Sequence, residues 1–281
     1  MGILNNYKEY VLLIIPKLSF MSLKSISTLL IILFFNGCVL AQALINIEGR
    51  RRHTDSTRFV LDGNLSSTYS NNDGLSFFQV YNSLFTQIKS KDLNKIYMLL
   101  GDYTLARSKD NDFENAWFLH FRYNQEITDL FRIETFIQSQ KNKILDVNSR
   151  NLIGGGIRMK LISKENVRLY WGNAYMYEVE ETDLIEDKFY NHRYSTYVSF
   201  TAVIPPNNVK IVNTLYYQPL FKDFNDYRFL EQLKISFPIT KRFNMFTLFD
   251  YFYDSITPRG RKQFSSRISF GFGLRLEHKG F

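Results

Sequence analysis

Residues 166 to 181 read NVRLYWGNAYMYEVEE. Taken alternately, Val167, Leu169, Trp171, Tyr175, Tyr177 and Val179 fall on one face, with Asn173 the single lapse. Arg168, Tyr170, Gly172, Ala174, Met176, Glu178 and Glu180 fall on the other. Only an extended strand, whose side chains alternate from face to face, keeps two such sets apart. The run also exceeds the roughly five or six residues of an ordinary soluble strand. An apolar, aromatic face backed by small and charged residues is the pattern of a barrel strand that crosses a membrane, apolar towards lipid and polar towards a lumen.

The pattern repeats. Alternating segments are predicted at about 57–70, 75–89, 93–106, 112–125, 129–143, 147–163, 166–181, 188–204, 208–221, 226–239, 242–254 and 263–277. Each exceeds the ~9–11 residues that cross the hydrocarbon. The prediction is therefore an all-β, antiparallel, up-and-down transmembrane barrel of twelve strands, with fourteen as the alternative. Ser90-Lys91-Asp92, Ile127-Thr128, Ser163-Lys164-Glu165, Pro205 to Asn208 and Thr240-Lys241 read as short turns on one rim. Longer loops are expected on the other, and an even strand count puts both ends of the barrel on the short-turn side. Tyr69, Tyr103, Tyr175, Tyr177, Tyr217, Tyr251 and Tyr253 are assigned to a girdle on the long-loop rim, with Tyr190, Tyr194 and Tyr227 on returning strands. Apolar sets such as Phe131, Ile133 and Ile137, or Ile153, Ile157, Met159 and Leu161, are assigned to lipid. Arginines and lysines are assigned to the opposite parity, because one at mid-bilayer on the lipid face costs about 2–4 kcal/mol.

The chain begins with a leader. Met21-Ser22-Leu23-Lys24 is a short basic region, Ile26 to Phe35 an apolar run, and Ala41-Gln42-Ala43 a small-residue cleavage site. We read residues 21–43 as a signal peptide cut near Ala43 and 1–20 as an upstream extension. Phe35-Asn36-Gly37 before Cys38 is the rival, lipoprotein reading. Losing Lys8, Lys17, Lys24 and Glu9 leaves 32 basic and 26 acidic residues, a net +6 against +8 for the full chain. The only dense basic patch is Arg50-Arg51-Arg52, which argues against nucleic acid. Cys38 is the sole cysteine, so a mature chain has no disulfide or thiolate chemistry. Residues 44–56 are left outside the closed barrel by strand parity and are expected in the periplasmic mouth or partly filling the lumen. Residues 57–281 form the barrel.

Ten residues are candidates for a lumen constriction: His120, Arg122, Glu126, Arg132, Glu134, Arg158, Arg168, Glu178, Arg193 and Arg228. They can either select a passing anion or form ion pairs that fill a narrow lumen. His192, near Ser195, is the one hint of catalysis, and an interfacial histidine is the plainer account. Glu180-Glu181-Thr182-Asp183 with Glu186-Asp187 forms an acidic loop that could hold Ca²⁺ loosely or be merely solvated. No cofactor, catalytic or metal site is assigned. Gly154-Gly155-Gly156 sits mid-strand, so it is no phosphate loop, and a bend or bulge is expected there.

Several short runs carry a resemblance. Asn46-Ile47-Glu48 with Arg51 and Thr54 to Thr57, Arg122-Tyr123-Asn124, Gly154 to Gly156 with Arg158, Tyr175 to Glu178, His192 to Ser195, and Tyr216 to Pro219 together resemble an uncharacterised family of salt-stress-induced outer-membrane proteins, the YdiY-like type in its Bacteroidota form. The resemblance implies a barrel in the outer membrane and supplies no catalytic or ligand residues. The expected role is a narrow pore, with weak anion preference, or a structural, stress-responsive envelope protein. An outer-membrane lipid-modifying enzyme and a surface receptor or adhesin are the alternatives. Expected partners are outer-membrane lipids or lipopolysaccharide and the barrel assembly machinery, with the barrel itself a monomer. Phe281 is a plausible assembly signal, out of phase with Leu274 and Leu276.

Overall fold

The computed structural model describes residues 51, 57–72, 75–108, 111–142, 147–182, 188–257 and 263–278. The leader, residues 44–56 apart from Arg51, the acidic residues 183–187 and Phe281 lie outside them. The chain forms twelve strands: β1 (Phe59–Asn72), β2 (Leu75–Lys89), β3 (Lys95–Ser108), β4 (Asn111–Glu126), β5 (Phe131–Asn142), β6 (Val147–Ser163), β7 (Val167–Glu181), β8 (Lys188–Ile204), β9 (Val209–Pro219), β10 (Tyr227–Pro238), β11 (Phe243–Asp254) and β12 (Gln263–His278). Each pairs antiparallel with its sequence neighbours, and β1 closes on β12 through a register that sets Phe59 opposite His278. Closure leaves no strand edge unpaired, as a barrel in hydrocarbon requires. Both ends of the barrel therefore sit on the short-turn rim.

The turns explain themselves locally. Ile127 to Phe131 and Ile239 to Phe243 repeat one motif, I-T-x-x-F. In each, the threonine Oγ1 accepts the N–H of the phenylalanine three residues on, at 3.0 Å. The isoleucine N–H is donated to that phenylalanine's carbonyl, also at 3.0 Å. In the Ser90–Lys95 turn, the Ser90 hydroxyl donates to Asp92 and holds that carboxyl below its usual range. The expected contrast between rims holds only for half the barrel. β7–β8, β9–β10 and β11–β12 have the longer loops, whereas β1–β2 and β3–β4 close over two residues each because their strands run further than the alternation suggested.

Ile137, Ile153, Ile157, Leu161, Val198, Phe200, Phe270, Phe272 and Leu274 all stand exposed on the outer wall. A contiguous apolar exterior of this extent is incompatible with a water-facing surface. Some charges break the parity rule, and one of them lies well away from the strand ends. Glu231 on β10 points outward, between the buried, inward Leu230 and Gln232. Tyrosine is also not sorted to one rim. Tyr217, Tyr227 and Tyr253 pack in sequence as tilted ring pairs at 5.4 and 5.7 Å on the long-loop side. Tyr97 and Tyr123 pair at 5.3 Å on the short-turn side, and Tyr170 and Tyr197 are buried inside.

The interior departs most from a simple polar lumen. Val60, Phe85, Ile96, Met98, Leu100 and Phe118 pack into a buried apolar cluster contributed by β1 to β4. Phe136, Leu152 and Met176 form a second cluster on β5 to β7. The glycine run on β6 keeps regular register, and the β6–β7 shift falls at Lys160/Ile162 instead. The run serves close packing rather than a bulge: a Cβ on Gly154 would stand 2.4 Å from the Phe136 ring. Gly172 does the same for Tyr197, whose ring covers it at 2.1 Å from the position of an added Cβ.

Candidate lumen site

Alternation sends every second side chain of β4 to β11 into a space a few residues wide. Charged groups caught there must find partners or pay several kcal/mol of desolvation. They collect around two carboxylates.

Glu134, three residues into β5, is the centre nearer the short-turn rim. Its Oε1 accepts from Asn124 Nδ2 at 2.6 Å and from Arg51 Nη1 at 3.2 Å. Its Oε2 accepts from the Tyr197 hydroxyl at 2.8 Å and from Arg122 Nη1 at 3.5 Å. Arg158 lies 3.8 Å from Oε1, with its guanidinium over the Tyr170 ring at the same distance. Arg51 also donates to Asn124 Oδ1 at 2.8 Å and is only 2% exposed. His120 stacks between Phe118 and Phe136. Arg122 Nε donates to His120 Nε2 at 3.3 Å, and arginine cannot accept, so the imidazole is neutral. Its proton sits on Nδ1 and is donated to Gln138 Oε1 at 2.9 Å.

Glu178 on β7 is the centre nearer the long-loop rim. Arg228 Nη1 donates to both of its oxygens, at 2.9 and 2.8 Å. Arg193 and Arg150 stand 3.6 and 3.7 Å away. Glu180 accepts from Arg150 Nε at 2.9 Å and Arg228 Nη2 at 2.8 Å. Arg228 Nε donates to Asp254 at 2.9 Å, and Arg193 Nη1 to Asp226 at 3.0 Å. Three guanidiniums thus alternate with four carboxylates, each hydrogen bond charge-assisted and all but that to Asp226 buried.

Between the two centres a cavity of about 30 Å³ remains, lined by His120, Arg122, Phe136, Met176, Ser195 and Gln218 among others. That is room for a water or two.

Seven of the ten residues chosen from sequence, His120, Arg122, Glu134, Arg158, Glu178, Arg193 and Arg228, are buried within these two groups. Glu126 and Arg132 pair with each other at the short-turn edge, half-buried. Arg168 stands apart, opposite Thr201 and Ser163 at the end of β7. Sequence reasoning missed Arg150, Asp254, Asp226 and the insertion of Arg51. Arg150 and Asp254 do lie on the inward parity of their strands, a signal that was available. Asp226 and Arg51 lie outside any strand, where parity is silent.

Two other candidates stand differently, and Asp183, Glu186 and Asp187 of the acidic loop lie outside the described residues. Glu180 belongs to the lumen cluster, not to a cation-binding loop, while Glu181 pairs with Lys188 at 2.7 Å. No group of three potential metal ligands occurs among the described residues. His192 lies on the outer wall against Tyr175 and Tyr177. Ser195, three residues on, faces inward and accepts from Gln218 Nε2 at 3.1 Å. The barrel wall separates the two, so they form no nucleophile–base pair.

A protein-family model described as protein of unknown function, DUF481, matches residues 53–275. No curated protein matches. Among solved structures, the chain is similar to the NanC porin, at 11% identity over 78% of this chain and 99% of that one, with a TM-score of 0.45. It is similar to a bacterial polysaccharide outer membrane secretin at 7% identity, covering 78% and 98%, TM-score 0.44. It is also similar to the translocator domain of the autotransporter NalP from Neisseria meningitidis at 10% identity, covering 80% and 90%, TM-score 0.42.

Proposed function

We propose that this chain, which belongs to the family of unknown function DUF481, is a monomeric outer-membrane barrel with a closed lumen, a structural protein of the envelope rather than an open pore. The observation that carries the reading is the interior. Apolar clusters occupy part of it, and between the two ion-paired centres about 30 Å³ remains. The apolar outer wall with tyrosines at both rims supports placement in lipid, with outer-membrane lipids and lipopolysaccharide as its surroundings. Each arginine of the two centres is engaged by a carboxylate, a carbonyl or a ring, which weakens the basis for anion selectivity. The stress-responsive role rests on the sequence resemblance alone, export through a cleaved leader on the pattern of residues 21–43, and delivery by the assembly machinery on general barrel biogenesis.

Planar-bilayer recording from the refolded mature chain tests this reading. The wild type should show no discrete openings, and Glu178→Ala/Glu134→Ala should raise baseline conductance. Regular wild-type openings at low voltage would establish the narrow-pore alternative instead. The enzyme reading has lost its residue pair. Loops of at most eight residues between strands offer little surface for an adhesin.

A further inference from the structure

The outer wall carries polar groups at several places, and most are internally satisfied. Trp171 Nε1 donates to Thr196 at 2.9 Å, and the Tyr194 hydroxyl donates to Asn173. The pair of Asn213 on β9 and Glu231 on β10 differs. Asn213 Nδ2 donates to Glu231 Oε1 at 3.2 Å. Asn213 Oδ1 is buried and accepts nothing among the described residues, and no donor reaches Glu231 Oε2. Glu231 Oε2, beside the buried Asn213 Oδ1, thus stands on the outer wall as an acceptor without a donor.

Their depth can be read from the strands. Glu231 is four residues from Tyr227 along β10, and Asn213 four from Tyr217 along β9, while those two tyrosine rings touch at the rim. A rise of ~3.3 Å per residue at a tilt of ~40° sets the pair about 10 Å below the tyrosine belt. Leu215, Leu233, Phe229 and Tyr251 surround it. A carboxyl and an amide at this depth are costly unless they have a task.

We propose that Asn213 and Glu231 form a lipid-binding site on the barrel exterior that accepts a hydrogen bond from the hydroxyl of a hydroxylated acyl chain in the outer leaflet. A chain whose headgroup lies at the tyrosine belt passes the pair within its first carbons. Its methylenes pack on Leu215 and Leu233. A hydroxyl supplies the missing donor without bringing a second charge into hydrocarbon. The inference rests on the outer-membrane reading above and goes beyond it.

The test uses the folded mature chain in nanodiscs, with native mass spectrometry of retained lipid. The probes are phosphatidylethanolamine carrying 3-hydroxymyristoyl chains and the same lipid with plain myristoyl chains, so the headgroup is constant. Wild type should retain the hydroxylated lipid roughly tenfold over the plain one, a difference within reach of one buried hydrogen bond. Glu231→Leu/Asn213→Leu, which makes the wall more apolar, should fold and lose the preference. Equal retention of both lipids by wild type overturns the proposal and leaves a self-contained acid–amide pair. A preference that survives in the double variant, or a two-copy species lost in it, overturns it as well. Failure of the underlying reading would look different, since the chain would then remain dispersed without detergent and enter no nanodisc.

Discussion

Glu178 and Arg228 hold each other across the lumen. β8 and β9 lie between their strands, yet Arg228 Nη1 reaches both Glu178 oxygens within 2.9 Å. The pair therefore ties strands three places apart through the interior rather than along the wall. Glu134 and Tyr197, separated by β6 and β7, do the same nearer the short-turn rim.

Removing one partner of this cross-tie should cost far more than removing a surface ion pair. Glu178→Ala leaves Arg228, Arg150 and Arg193 sharing fewer carboxylates in a space closed to water. A loss of about 3–5 kcal/mol is expected. Urea unfolding in lipid vesicles checks it, with Glu181→Ala, whose partner Lys188 is exposed, expected to change stability by less than about 1 kcal/mol.

Ile157, 52% exposed on the outer wall, separates a lipid-facing surface from a watery one. Ile157→Arg should destabilise the barrel by about 2–4 kcal/mol if hydrocarbon wets that face. At an exposed position in water the same change would sit within about 0.5 kcal/mol of zero. Folding yield into vesicles and urea midpoint report the difference.

Gly172 has no room for a side chain because the Tyr197 ring lies on it. Gly172→Ala should destabilise by about 1–3 kcal/mol through overpacking. In a Tyr197→Ala background the penalty should shrink or vanish. The double-mutant cycle on urea midpoints measures that coupling.

The I-T-x-x-F turns make a local prediction. Thr128→Val and Thr240→Val each remove the oxygen that caps a phenylalanine N–H. Each should cost about 1 kcal/mol, and their effects should add because the turns share no residues. Equilibrium unfolding of the two single variants and the double variant checks both points.

Much of this was legible in the chain itself. The predicted β2, β6 and β8 boundaries coincide with the observed strands, and twelve strands with both ends on one rim follow from segment count. The reason is that alternation is a property of neighbouring residues. Strand parity fixes which side chain points inward whatever the rest of the fold does, so Arg158, Glu178 and Arg228 were assignable one by one. Glu231 and the inward Phe85, Met98 and Leu100 were missed where a strand is apolar on both faces or carries a single lapse.

Sequence alone, then, determined the wall: extended segments, their length, and the side of the wall most residues occupy. Only tertiary structure decided what the inward residues do. Closure brings Arg51 to Glu134 over 83 residues and Arg228 to Glu178 over 50. Such pairings depend on barrel stagger and diameter, which no local period encodes. The same closure decides which inward charges meet as partners, because each must find its counter-charge on a strand that no local pattern names.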